Sequence, residues 1–365
     1  MTRSFLITLT VFLAICSLAA SSNTFKNPQE DVVLFYNIFK DWITQSNKQY
    51  GIEEMAIRFF NWKNNFDFVQ EHNAQAGLTF RLEMNDYADM TAEEFSALHM
   101  GLNTELLAAS KKNKTAPAAA KKANNTTNST NATNAGFNKN SSAADTGLPK
   151  SVDCRKTGAV SGVKNQGTCG GCYAFAAAGA LEGLYAIKNK KLTDISVQQM
   201  IDCSGFFGNK GCDGGLMTTT FGFTQMFGVE AESTYGYAAA LGECRQNTDN
   251  IVFRNSGYEE VPQNDTLALK KAVARQPVSV GIEASSLAVQ LFKSGVLTGG
   301  CGTALNHAVL IVGYDTDKNG QEYWIVKNSW GPKWGLKGYF HIAMGNQNSG
   351  MGVCGINLLA SYPTL

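Results

Sequence analysis

The chain predicts an α+β fold in two lobes, and three observations carry that reading. A run with helical periodicity opens at Cys172 and continues through Ala180, Leu184 and Ile187. Strand-forming runs follow at residues 278–282, 308–314, 323–327 and 338–343, so helices and strands segregate rather than alternate. Ahead of both lies a helical unit at 31–101, set apart by a polar tract with almost nothing to bury.

The first element is a leader. Arg3 precedes an apolar run at 5–15, and the small residues Ser17, Ala19, Ala20 and Ser21 follow. That is the charged, apolar and cleavage pattern of a secretory signal peptide over 1–20. The run is short for a bilayer span and no later one is longer, so no stable membrane insertion is expected. An uncleaved anchor is the alternative; a lipoprotein reading of Cys16 is opposed by bulky Ile15.

The second element is the helical unit, whose domain spans 21–102. Val32, Phe35, Phe39 and Trp42 recur at the three- and four-residue intervals of one helix face. Glu54, Arg58, Trp62, Asn65, Val69 and Asn73 fall on one stripe of a second helix, with Gly77 placed to end it. The third element, 103–146, is rich in Asn, Thr, Ala, Lys and Ser; beyond Leu106, Leu107 and Phe137 it has little that could form a core. We read it as a disordered linker. Acceptor sequons stand there at Asn113, Asn124, Asn125, Asn128, Asn131 and Asn140, as such a composition produces by chance, while Asn264 lies outside the tract. From 147 to 365 apolar density returns. The net charge of +1 offers no surface for nucleic acid.

Nine cysteines suit an oxidising compartment, and without Cys16 eight remain, with roughly a hundred possible pairings. Cys169 and Cys172 form a Cys-x-x-Cys pair. A redox reading would want a βαβ context, which is not visible, and zinc would want a second close pair, which Cys203 and Cys212 are not. Two readings stay open: both cysteines are disulfide-bonded, or Cys172 is a nucleophile. A helix start and a neighbouring imidazolium both favour the thiolate. The chain has four histidines. His72 and His99 lie in the helical unit, and His341 reads as a surface side chain on a strand. His307 opens an apolar strand. Asn328 precedes Ser329 and Trp330; its amide can accept from one imidazole nitrogen and fix the tautomer, and the indole can shelter that bond.

His307 and Asn328 stand 135 and 156 residues after Cys172. With the run from Gln166 to Phe175, they make 147–365 resemble the papain family of cysteine proteases. Residues 31–101 resemble that family's cathepsin L-type proregion: the stripe matches its interspersed motif, with Trp62 for Phe and Val69 for Ile. Asn85, Tyr87 and Asp89 match a second motif, in which Glu83 replaces a glycine. The resemblance implies a two-lobed catalytic unit, one lobe helical and one β-barrel-like, and an inhibitory proregion.

It also implies roles. Cys172 would be the nucleophile, ion-paired with His307 as base; Asn328 would orient the imidazole under Trp330, and Gln166 would donate to the oxyanion. Bridges Cys169–Cys212, Cys203–Cys244 and Cys301–Cys354 would leave Cys172 free. Gly214 and Gly215 would admit a peptide backbone. Leu216, Met217, Leu305, Ala308 and Leu359 would line the pocket for the second residue before the scissile bond, favouring Leu, Phe or Val over Arg. The expected partners are polypeptide substrates, the chain's own proregion and protein inhibitors of such proteases; the enzyme would be a monomer needing neither cofactor nor metal. Its destination would be the lysosome or another acidic vacuole, or the exterior. Maturation would fall near Gly147 and Leu148, with acid weakening the proregion as carboxylates such as Asp89 protonate.

Four departures bear on rate and stability. Gly171 replaces Ser before the nucleophile, Tyr173 replaces Trp after it, Ala176 replaces Ser, and Cys154 replaces Trp and leaves a second unpaired thiol. Two rival classes are a catalytically silent homologue that binds or inhibits, and a thiol–disulfide oxidoreductase using Cys169 and Cys172.

Overall fold

The computed structural model describes residues 28–106 and 147–365; the expected leader, Cys16 and the six sequons from Asn113 to Asn140 lie outside them. The proregion begins with α1 (Pro28–Gln45) and α2 (Ile52–Ala74), which meet through aromatic rings. Phe39 and Trp42 pack on Trp62 with ring centroids 5.5 and 6.5 Å apart, and Trp62 is almost wholly buried. The polar members of the stripe tie the later part of the proregion to α2. Asn65 Nδ2 donates to the carbonyls of Ala88 and Met90, both at 2.8 Å. Asn73 both donates to and accepts from the backbone of Leu82. Arg58 bridges Glu54 and Glu94. Helix α2 stops at Ala74, where Gln75 turns extended, three residues before Gly77. Gly77 instead takes a left-handed conformation in the next turn.

The proregion is not helical throughout. Strand β1 (Phe80–Leu82) pairs antiparallel with the catalytic unit. Three residues are too few to show a period-two pattern, so this strand was not legible in the sequence. It exists because its partner admits it: opposite Phe80 stands Gly295, whose Cβ would lie 2.3 Å from the Thr79 carbonyl. Helix α3 (Ala92–His99) then starts from a capping box between Thr91 and Glu94. Asp89 bonds to Lys48 and Tyr50 within the proregion itself, not to the catalytic unit.

The catalytic unit runs β2 (Val152–Asp153), α4 (Cys172–Asn189), α5 (Val197–Cys203), α6 (Met217–Phe227), β3 (Val229–Glu230), β4 (Ile251–Phe253), β5 (Gly257–Glu260) and α7 (Thr266–Val273). It continues with β6 (Val278–Ile282), α8 (Leu287–Gln290), β7 (Phe292–Leu297), β8 (His307–Thr316), β9 (Glu322–Lys327), β10 (Tyr339–Ala343) and β11 (Ala360–Thr364). One sheet has the order β1-β7-β10-β9-β8-β6-β11-β5, with β2 beside β8; β3 and β4 pair separately. The end strands β1 and β5 each bond a single neighbour, so the sheet is open and the barrel-like expectation is not met.

Two cores flank the cleft. One surrounds α4, which is apolar on nearly every side and buried accordingly. The other joins the strand lobe to the aromatic residues of the proregion. His341 is not a free surface side chain: it stacks on Tyr323 at 4.3 Å, and burial pulls its pKa down to about 4. Three disulfides staple the unit, Cys169–Cys212, Cys203–Cys244 and Cys301–Cys354, while Cys154 and Cys172 are buried free thiols. Burial pushes the Cys154 thiol up to about 11, which leaves it protonated and inert.

Candidate active site

Cys172 is the first residue of α4, and its N-cap, Gly171, contributes no side-chain cap. The helix therefore presents its N-terminal dipole to the thiol. The space a serine would use at 171 is filled, since a Cβ there would sit 2.8 Å from Ile201 Cδ1. The amide of Ala308, the second residue of β8, donates to Cys172 Sγ at 3.4 Å. This contact brings the start of the helix to the start of the strand that carries His307.

His307 is fully buried, and its Nε2 lies 2.9 Å from Asn328 Oδ1. The amide of Ser329 also donates to Oδ1, which fixes that oxygen as the acceptor. Nε2 therefore carries the proton, and Nδ1, which has no hydrogen-bond partner among the described residues, holds the lone pair. Trp330 stacks on the imidazole at 4.6 Å and 23°. Beneath Asn328, Lys327 is buried and its pKa falls to about 8; its Nζ donates to Ser161, which in turn bonds Glu182. Gln166 is locked by Ser329: its amide donates to the Ser329 carbonyl at 2.8 Å and its Oε1 accepts from Ser329 Oγ at 2.6 Å. Nε2 of Gln166 consequently faces the cleft.

The proregion fills that cleft with backbone. Gln166 Nε2 donates to the carbonyls of His99 and Cys169, both at 3.0 Å. The amides of Gly101 and Leu102 donate to the Asn306 carbonyl at 3.2 and 3.0 Å. Gly215 donates to Gly101 at 2.9 Å and accepts from Asn103 at 3.1 Å, with Leu102 and Gly215 paired in parallel. Only glycine fits at 101, because a Cβ there would lie 1.8 Å from the Gly170 carbonyl. A Cβ on Gly214 would likewise meet the Gly101 carbonyl at 2.8 Å.

The side chain of Leu102 enters an apolar pocket. A Cβ at Gly281 would lie 2.8 Å from Leu102, 3.2 Å from Leu305 and 3.4 Å from Leu359. Leu216, Met217 and Ala308 belong to the same buried cluster as Leu102. Sequence reasoning passed over Gly281, Asn306 and Ser329. A glycine inside the run 278–282 was the available signal for Gly281, since it marks a close approach of ligand or backbone. For Asn306 and Ser329, whose contributions are a carbonyl and a local lock, there was none.

Burial governs the charges. It pushes the Cys172 thiol up to about 12, against backbone donors that include Ala308 and Gly101. It pulls His307 down to about 4, against the bond to Asn328. In the covered cleft burial thus works against charge on both groups, raising the thiol and lowering the imidazole.

A thiol at a helix start, an imidazole held by an amide and an amide donor beside them define a cysteine-nucleophile hydrolase, closed here by its own N-terminal unit. Residues 148–364 match the papain family cysteine protease pattern, and residues 39–95 match the cathepsin propeptide inhibitor domain. Among curated proteins, the chain is 40% identical over 367 residues to the probable cysteine protease RDL2 of Arabidopsis thaliana, covering 99% of this chain and 93% of that one. It is 39% identical to the senescence-specific cysteine protease SAG12 of the same plant, covering 97% of each. Among solved structures, the proform of the ragweed pollen cysteine protease Amb a 11 superposes with a TM-score of 0.76 at 36% identity, over 91% of this chain and 94% of that one. The chain belongs to the papain family of cysteine proteases, as a zymogen carrying its inhibitory propeptide.

Proposed function

We propose that Cys172 is the nucleophile of peptide-bond hydrolysis and His307 its base and acid, with Asn328 and Gln166 as tautomer lock and oxyanion donor. The observation that carries this is the His307–Asn328 bond, which leaves Nδ1 basic beside the strand amide that contacts Cys172 Sγ. Loss of the proregion rehydrates the cleft, so the proton moves from Sγ to Nδ1 and the ion pair forms. The thiolate attacks the scissile carbonyl carbon, and its oxygen gains the Gln166 side-chain donor and the Cys172 amide. The C–N bond breaks as His307 protonates the leaving amine, leaving a thioester. Water then adds, giving its proton to Nδ1, and the acid departs as the thiol is restored.

Leu102 in its pocket supports a preference for Leu, Phe or Val at the second position before the scissile bond, with Arg disfavoured for want of a counter-charge. We assign 1–20 to the signal peptide, 21–102 to the proregion, 103–146 to a glycan-bearing linker and 147–365 to the enzyme. The leader supports entry to the secretory route and delivery to an acidic vacuole or the exterior, with cleavage near Gly147. Active-site labelling with an epoxide inhibitor after acid treatment tests the assignment. Exclusive modification of Cys172 is expected; a fully matured enzyme that takes no label overturns it.

A further inference from the structure

Tyr173 follows the nucleophile on the first turn of α4, and its ring is fully buried. Its hydroxyl donates to the Gly211 carbonyl at 3.0 Å. Gly211 opens the tight turn Gly211–Asp213 with a positive φ, and Gly214 and Gly215 follow at once. This short edge is the one that bonds a peptide backbone in the cleft through both polar groups of Gly215. Its opposite face is closed by two side chains. A Cβ on Gly215 would lie 2.4 Å from Asn209 Oδ1 and 2.8 Å from Tyr173 Cε2.

Asn209 is buried and fully bonded. Its Oδ1 accepts from the Leu216 amide at 2.9 Å, and its Nδ2 donates to Ser204 at 2.9 Å and Thr220 at 3.0 Å. The edge is thus clamped at its start by Tyr173 on Gly211 and at its end by Asn209 on Leu216. The Cys169–Cys212 bridge anchors the same turn covalently. Loss of the phenol therefore shifts the edge without unfolding it, and Gly211 keeps a bond from the Gly214 amide at 3.4 Å.

We propose that Tyr173, together with Asn209, is a positioning residue that holds the Gly214–Gly215 edge in register with the nucleophile helix, so that a bound peptide meets Cys172 at the correct distance. The proposal rests on the reading of Cys172 as the nucleophile and of this edge as the substrate-binding one. Backbone hydrogen bonds weaken steeply with misalignment, so a small displacement of Gly215 costs binding before it costs chemistry.

The test is Tyr173→Phe in the full chain, matured and assayed on two substrates. One is a peptide amide long enough to pair with Gly215; the other is an ester of a single acyl residue that does not reach it. We expect KM for the peptide to rise about fivefold with kcat held within about twofold, and the ester to be unaffected. Alkylation of Cys172 by iodoacetamide should keep its wild-type rate. An equal loss on both substrates, a slowed alkylation or no change at all overturns the proposal. A wild-type enzyme that is inactive with Cys172 unlabelled overturns the nucleophile reading instead. In the unprocessed chain carrying Cys172→Ala, hydrogen exchange gives a readout that needs no maturation. Tyr173→Phe should speed the Gly214 and Leu216 amides several-fold and leave α4 alone; unchanged exchange at the edge rejects the clamp.

Discussion

The proregion grips the enzyme in two places built from different chemistry. On the strand lobe the contact is made of amides: β1 pairs with β7, Asn85 Nδ2 donates to the Gln290 carbonyl, and Gln290 Nε2 donates to the carbonyls of Tyr87 and Met90. Nothing in that set titrates near neutrality. In the cleft the contact includes a histidine. His99 Nδ1 lies 3.0 Å from the Gly167 carbonyl, and its ring packs on Phe95 at 4.9 Å and Tyr87 at 5.0 Å. Burial, with the nearby Lys48 charge adding to it, pulls its pKa down to about 4. The amide hydrogen bonds of the strand-lobe contact therefore carry no titrating group, whereas the cleft contact has a buried histidine at its centre. Asp89, for which an acid-sensitive docking role was expected, lies inside the proregion and on neither contact.

The largest expected effect breaks the strand-lobe side. Trp62→Ala removes the buried indole between α1 and α2, and the proregion should lose about 3–5 kcal/mol of stability. Denaturant unfolding of the Cys172→Ala chain should show an early proregion transition, and the otherwise wild-type variant should cleave a small peptide at neutral pH. Latency that survives would mean the cleft segment inhibits alone.

The next effect tests the cleft side through pH. His99 is neutral when docked, and its pKa rises toward the free value of 6.5 when released, so the undocked state binds the extra proton. Docking is thus fully present above about pH 6.5 and weakens by about 1.4 kcal/mol per unit as pH falls toward 4, about 3 kcal/mol in all. Exchange at the Gly101 and Leu102 amides of the Cys172→Ala chain should accelerate over that window. His99→Phe, which keeps the packing, should flatten the profile; a profile that keeps its slope assigns the acid response elsewhere.

The smallest effect concerns the rim, where Lys293 pairs with Glu83 at 3.5 Å and Lys333 with Asp86 at 3.6 Å, all at least partly exposed. Lys333→Ala should cost no more than about 0.5 kcal/mol of docking and should vanish in high salt. A larger loss, read as neutral-pH activity of the zymogen, would place charge among the main holding forces.

The helices and long strands were legible because their patterns are local: the stripe on α2, the apolar run of α4 and the β-rich tail each announce themselves within a few turns. Cys172, His307 and Asn328 were legible only as a spaced set, since alone the cysteine reads equally well as structure and the other two read better so. What escaped depends on partners far along the chain. Strand β1 needs β7, over 200 residues later, and Gly281 matters only once Leu102 lies over it. The opposing shifts of Cys172 and His307 escaped for the same reason, because burial depends on what packs over them in the fold.

Strand β7 has one more consequence. While β1 is in place, it pairs with β7 at Phe292, Ser294 and Gly295; once the proregion is cut away, that stretch of edge loses its partner. Maturation thus hands the working enzyme an open border onto which the same strand of a second molecule can add. The guards against such stacking are already part of the border: a lysine at 293 and a kinked glycine at 295 make it a poor template for continuing the sheet from one molecule to the next.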